Sequence, residues 1–224
     1  MRSRKMDRDQ TVEPAFAKEL EALHRGLRKT YDISGHYGEE RKKLFEVASR
    51  YVDELNKVRK YACPLSTNML LSSIMESLLL YLILQHADRA TTTRTWLKVA
   101  TQDRQGVRID PSVPIFHLAE LIQLTDELKL LRTSGVQKKI DDLVVEYLKK
   151  LGFEGVPIAL DRWDAKRNHE LMHKLRGFRN AVHPLQVISD RNKNDGMDFV
   201  VSMWIGLRLL VLLNEMLGFR STLT

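Results

Sequence analysis

Apolar residues recur along this chain at intervals of three and four, with no convincing stretch alternating at period two, a pattern that predicts helices throughout. Glu13 to Tyr31 places Phe16, Leu20, Leu23 and Leu27 on one face. Asp32 to Gly38, with Ser34, Gly35 and Gly38, predicts a turn. Glu39 to Tyr61 repeats Leu44, Val47, Tyr51, Leu55 and Val58 at a spacing close to a heptad. These two segments form an N-terminal helical hairpin that packs on the core or on a second subunit.

Pro64 is expected to end that hairpin, with Ser66 or Thr67 capping the next helix, which runs to about His86. Ala90 to Pro114 is loop-like, with a short helix at Arg94 to Ala100. Ile115 to Leu131 is helical, Thr133 to Gly135 break it, and Val136 to Leu151 follows until Gly152 stops it. Asp161 or Asp164 starts a further helix. Asp190 to Gly196 is a polar turn, and Met197 to Leu217 closes the chain. The expected fold is all-α: a hairpin over residues 1–62 and an antiparallel helical bundle over 63–224.

Composition narrows this picture only a little. With 224 residues, 29% charged and 43% hydrophobic, the chain has the balance of a globular protein rather than a disordered one. Lys and Arg number 36 against 29 acids, and the net +7 permits a nucleic-acid partner without demanding one. Cys63 is the single cysteine, which excludes an intrachain disulfide and a thiolate metal cluster and fits a cytoplasmic setting. Two apolar stretches invite a membrane reading. Leu78 to Leu84 spans seven residues, and Phe199 to Leu217 carries Arg208, Asn214 and Glu215. Both read as buried core helices, and no membrane partner is expected.

The chemistry concentrates near the end of one helical pattern, at Leu175-Arg176-Gly177-Phe178-Arg179-Asn180-Ala181-Val182-His183-Pro184. At about 100° per residue, Arg176, Arg179, Asn180 and His183 form a polar stripe, while Leu171, Leu175, Phe178 and Val182 form a separate apolar one. Pro184 disfavours helix at His183, so the imidazole is expected near a helix C-terminus. That end favours the imidazolium, the two arginines oppose it, and the competition suits an acid–base group near neutrality. An arginine fork suits a phosphate and the charge that develops on it during transfer. The plainer reading of such a stripe is helix capping and ion pairing on a solvated face.

Glu76 lies within the apolar run Leu70 to Leu80, where a lone carboxylate is costly, and Arg176 or Arg179 is its expected partner. His169-Glu170-Leu171-Met172-His173 matches the short HExxH pattern of zinc hydrolases, in which two histidines chelate zinc and the glutamate activates water. Its flanks Lys166, Arg167 and Lys174 are charged and no third ligand is evident, so a solvated His–Glu face is the competing reading. His24, His36, His86 and His117 sit in unrelated segments.

The segment "LRGFRNAVHP", from Leu175 to Pro184, resembles the motif of HEPN domains, an arginine and a histidine separated by four to six residues. Arg176 and His183 have six residues between them; Arg179-Asn180 matches the family's Arg–polar dipeptide but leaves three. Which arginine takes the family's place stays open. Asn68 to Leu84 is similar to the first HEPN helix, with Glu76 where relatives often carry a glutamate, and Phe116 to Leu131 is similar to the middle helix. The resemblance covers roughly residues 64–218 and leaves the hairpin out. It implies a bundle that dimerises with two motif stripes facing across a cleft. It also implies a metal-independent endoribonuclease needing no cofactor, of a toxin–antitoxin, phage-defence or RNA-processing system, with RNA and an antitoxin or other protein as partners. His183 would then be the acid–base group, Arg176 and Arg179 the charge stabilisers, and Asn180 a positioning group. The alternative within the family is a non-catalytic binding or assembly module.

Overall fold

The computed structural model describes residues 12–29, 35–59, 64–106, 108–130, 169, 171–173, 175–176 and 198–219. Among them the chain is all-α, with no strand. The hairpin is α1 (Val12–Lys29) and α2 (Gly38–Val58), α2 being entered through Gly35 at φ 90° and Tyr37 at φ 60°. The left-handed backbone at Gly35 is one a glycine adopts without a Cβ penalty, which is why the turn forms there.

The central helix α3 (Pro64–Gln85) starts at Pro64 itself rather than after it. Proline suits the first helical turn, where its missing N–H has no intrahelical partner to lose. α3 is apolar nearly all round, as a helix surrounded by others must be. Leu71, Ile74, Met75, Leu78, Leu79 and Ile83 are fully buried along it. By length and composition the stretch Ser66–Gln85 is long and apolar enough to cross a membrane, yet 72% of it is buried within the protein, as in a core helix.

Two short helices follow, α4 (Ala87–Ala90) and α5 (Arg94–Ala100), the latter at the expected residues and capped by the Thr93 hydroxyl, which accepts from Trp96 N–H. α6 (Leu118–Glu127) begins three residues later than the apolar pattern suggests. The Glu120 carboxylate accepts from the His117 backbone N–H at 2.8 Å and fixes the start there. Its end is closed by Lys129 at φ 55° and by Arg89, which donates to the Leu128 carbonyl at 2.9 Å. The last described helix, α7 (Asp198–Met216), packs on α1 and α3.

One apolar cluster runs through all of this, joining Phe16 and Leu20 of α1, Phe45 and Val52 of α2, α3, Leu121 of α6, and Leu209 and Leu213 of α7. The expected helix over Val136 to Leu151 and the turn over Asp190 to Gly196 lie outside the described residues.

Candidate functional site

The described part of the motif helix comprises His169, Leu171, Met172, His173, Leu175 and Arg176, all helical. Leu171, Met172 and Leu175 are buried in the main core, which fixes the rotation of this segment. His169, His173 and Arg176 are half-exposed on the other side, at i, i+4 and i+7. Leu171 and Leu175 of the expected apolar stripe are therefore buried, and Arg176, the described member of the expected polar stripe, lies off that face. Arg179, Asn180 and His183 lie outside the described residues.

The segment is held against α3. The Ser72 hydroxyl approaches the Leu175 carbonyl at 3.4 Å, and Ser72 is fully buried. Glu76 stands one turn further along α3, on the same face as Ser72, and is half-buried. The fold thus brings the Glu76-bearing face of α3 towards the helix that carries Arg176. Arg176 keeps its Nε below the solvent-accessible surface with no hydrogen-bond partner among the described residues.

The two histidines touch. His169 Nε2 and His173 Nε2 are 3.2 Å apart, with ring centroids 4.4 Å apart and the planes at 77°. Burial pushes the His173 imidazole below its ordinary pKa, and the positive charge accessible to His169 and Arg176 pushes it the same way. Neutral imidazole is thus the favoured form at His173. No group of three or more His, Cys, Asp or Glu residues is placed to hold a metal ion among the described residues. A third ligand for a zinc-hydrolase reading is therefore missing from that set, and Glu170 lies outside it.

The other histidines serve local structure. His24 Nε2 of α1 is 3.0 Å from Asp53 Oδ1 of α2. His117 precedes α6, His86 precedes α4, and His36 packs edge-on to Tyr37. A cleft of about 600 Å³ opens beside His86, Arg89, Lys129 and Glu215, over Phe45 and Tyr81. Burial, seconded by the Arg89 charge, lowers the His86 pKa. Of the described site residues, Glu76, His169, His173 and Arg176 are not among those lining this cleft.

Along the sequence the HExxH pattern and the arginine–histidine stripe read as two features. The structure places His169 and His173 on the same face as Arg176. The signal was present in the spacing: His169, His173 and Arg176 fall within about 60° of one another at helical pitch. Compared with protein-family models, with curated proteins and with solved structures, the chain matches none of them.

Proposed function

We propose that the chain is a HEPN-like, metal-independent endoribonuclease acting as a homodimer, with the stripe from Arg176 to His183 as its site. The observation that carries this reading is the placement of Arg176. It rides on a helix locked into the core by Leu171, Met172 and Leu175, faces outward, and holds a desolvated Nε without a partner among the described residues. A guanidinium with a donor to spare on a rigid element is what recognition of a phosphate needs. Continued at helical pitch, the same sequence stripe takes in Asn180 and His183.

In this scheme His183 takes the proton of an RNA 2′-hydroxyl as its oxygen attacks the adjacent phosphorus. The new 2′-O–P bond forms, the P–O5′ bond breaks, and the leaving 5′-oxygen takes a proton from the His183 imidazolium, which returns the one it accepted. Products are a 2′,3′-cyclic phosphate and a 5′-hydroxyl. Arg176 and Arg179 stabilise the extra negative charge on the phosphorane, and Asn180 orients the phosphate. A toxin or phage-defence role, with an antitoxin as partner, is the setting such an activity fits.

The test is incubation of mixed RNA in EDTA with wild type, His183→Ala and Arg176→Ala. Wild type is expected to cleave, and the His183 variant to lose on the order of 10²- to 10⁴-fold in rate. Absence of cleavage by a folded wild-type protein would sink the nuclease reading and leave a binding module. Cleavage abolished by EDTA would sink the metal-independent mechanism.

A further inference from the structure

We propose that His169 and His173 form a two-histidine chelate for a divalent transition-metal ion of the zinc, cobalt or nickel kind. The chelate is built from described residues alone and does not depend on the ribonuclease activity.

Geometry comes first. Zinc binds imidazole nitrogen at about 2.0–2.1 Å, so two nitrogens on a tetrahedral ion stand about 3.3 Å apart. His169 Nε2 and His173 Nε2 are 3.2 Å apart already, one helical turn from each other. A single Nε2–H···Nε2 hydrogen bond satisfies the same distance in the metal-free protein; on metal binding that proton is lost and the ion sits to one side of the nitrogen–nitrogen line, about 2.0–2.1 Å from each. Imidazole nitrogen is a donor type these ions favour.

Rigidity comes second. Leu171 and Met172, between the two ligands, are buried at 1% and 0% exposure, so the helix turn presenting the rings is anchored. Ligands held in place before binding lose little freedom on binding. Both rings are only half-buried, which leaves an entry path and open coordination positions for water or an anion. Arg176, whose Nε has no partner among the described residues, is one turn away on the same face and is placed to hold an anion bound at an open position. With no third His, Cys, Asp or Glu assembled there among the described residues, the site is a two-ligand chelate, weaker than a closed structural zinc site.

The experiment is zinc titration of the metal-stripped full chain by calorimetry, with no RNA present. Wild type is compared with His169→Gln, His173→Gln and a His36→Gln control, each checked for an unchanged thermal melt. One saturable site in wild type and in the control, weakened at least tenfold in both chelate variants, is the expected result. Cobalt should give the visible absorption of a low-symmetry site in wild type and in the control, and not in the chelate variants. Zinc affinity unchanged in either chelate variant, or no saturable binding by wild type, overturns the proposal. Should the chelate variants melt differently, His173→Asn replaces them under the same criterion. The ribonuclease assay in EDTA reads a different property, so either reading can fail without the other.

Discussion

At the residue scale, one ion pair joins a loop to a helix start. Arg104 donates through Nη1 and Nη2 to both Glu120 oxygens, at 2.7 and 2.6 Å, and also to the Ile115 carbonyl at 2.9 Å. Burial by itself raises the Glu120 pKa, but the Arg104 hydrogen bonds, the His117 N–H and the neighbouring positive charge outweigh it and bring the value below its ordinary 4.5. The folded-state value is thus lower than the unfolded one. The pairing's contribution is fully present above the ordinary carboxylate value and is lost as pH falls through the folded one. Glu120→Gln is expected to destabilise the protein by about 2 kcal/mol at neutral pH. In urea unfolding at a series of pH values, the gap from wild type should narrow steadily below pH 4.5. A gap that stays constant through that range would show the ion pair contributes nothing. This pair was not legible in the sequence, because residues sixteen apart meet only once the loop's path is known. Arg176, in contrast, was legible, since helical periodicity alone separates its face from Leu171 and Leu175.

At the element scale, what periodicity could see was the body of each helix; what it could not see was how the ends are made. α1, α2, α5 and α7 fall within about three residues of the expected bounds, because long amphipathic or apolar runs dominate their signal. α3 and α6 differ at their starts, where Pro64 begins rather than ends an element and where Glu120 reaches back to His117. Helix-to-helix distance was also invisible until the structure showed Gly206. A Cβ there would lie 2.7 Å from both Leu71 Cδ1 and Phe16 Cε2, so this glycine lets α7 approach α3 and α1 at once. Replacing glycine inside a helix ordinarily gains up to about 1 kcal/mol. Overpacking two fully buried side chains costs about 1–3 kcal/mol, and with a branched replacement the loss prevails. Gly206→Val should therefore lower the melting temperature by about 2–8 °C. An unchanged or raised melting temperature would mean that Phe16 and Leu71 have room to move.

At the scale of the whole molecule, the open matter is whether the hairpin is an appendage or part of the core. α2 packs chiefly on α3 and α1 on α7, and the buried apolar cluster crosses both contacts without a break. Polar groups cross it too. The Asn214 amide of α7 donates to the Glu19 carboxylate at 2.9 Å and to the Glu19 carbonyl at 3.1 Å, all of it buried. Removing residues 1–62 would uncover the faces of α3 and α7 that Phe16, Leu20, Phe45, Val52 and Leu55 now cover. Each such side chain contributes about 1.5–3 kcal/mol on burial, so together they rival the roughly 5–15 kcal/mol that stabilises a whole domain. The fragment 63–224 should consequently bind a hydrophobic dye, lack a cooperative thermal transition and aggregate, while the full chain melts in one step. A monodisperse fragment with its own cooperative melt would instead make the bundle an independent folding unit. The outcome bears on the site, because the helix carrying His169, His173 and Arg176 is seated on the same core through Leu171, Met172 and Leu175. If the hairpin is needed to keep that core packed, its loss should also abolish zinc binding at the histidine pair, although no hairpin residue is a ligand.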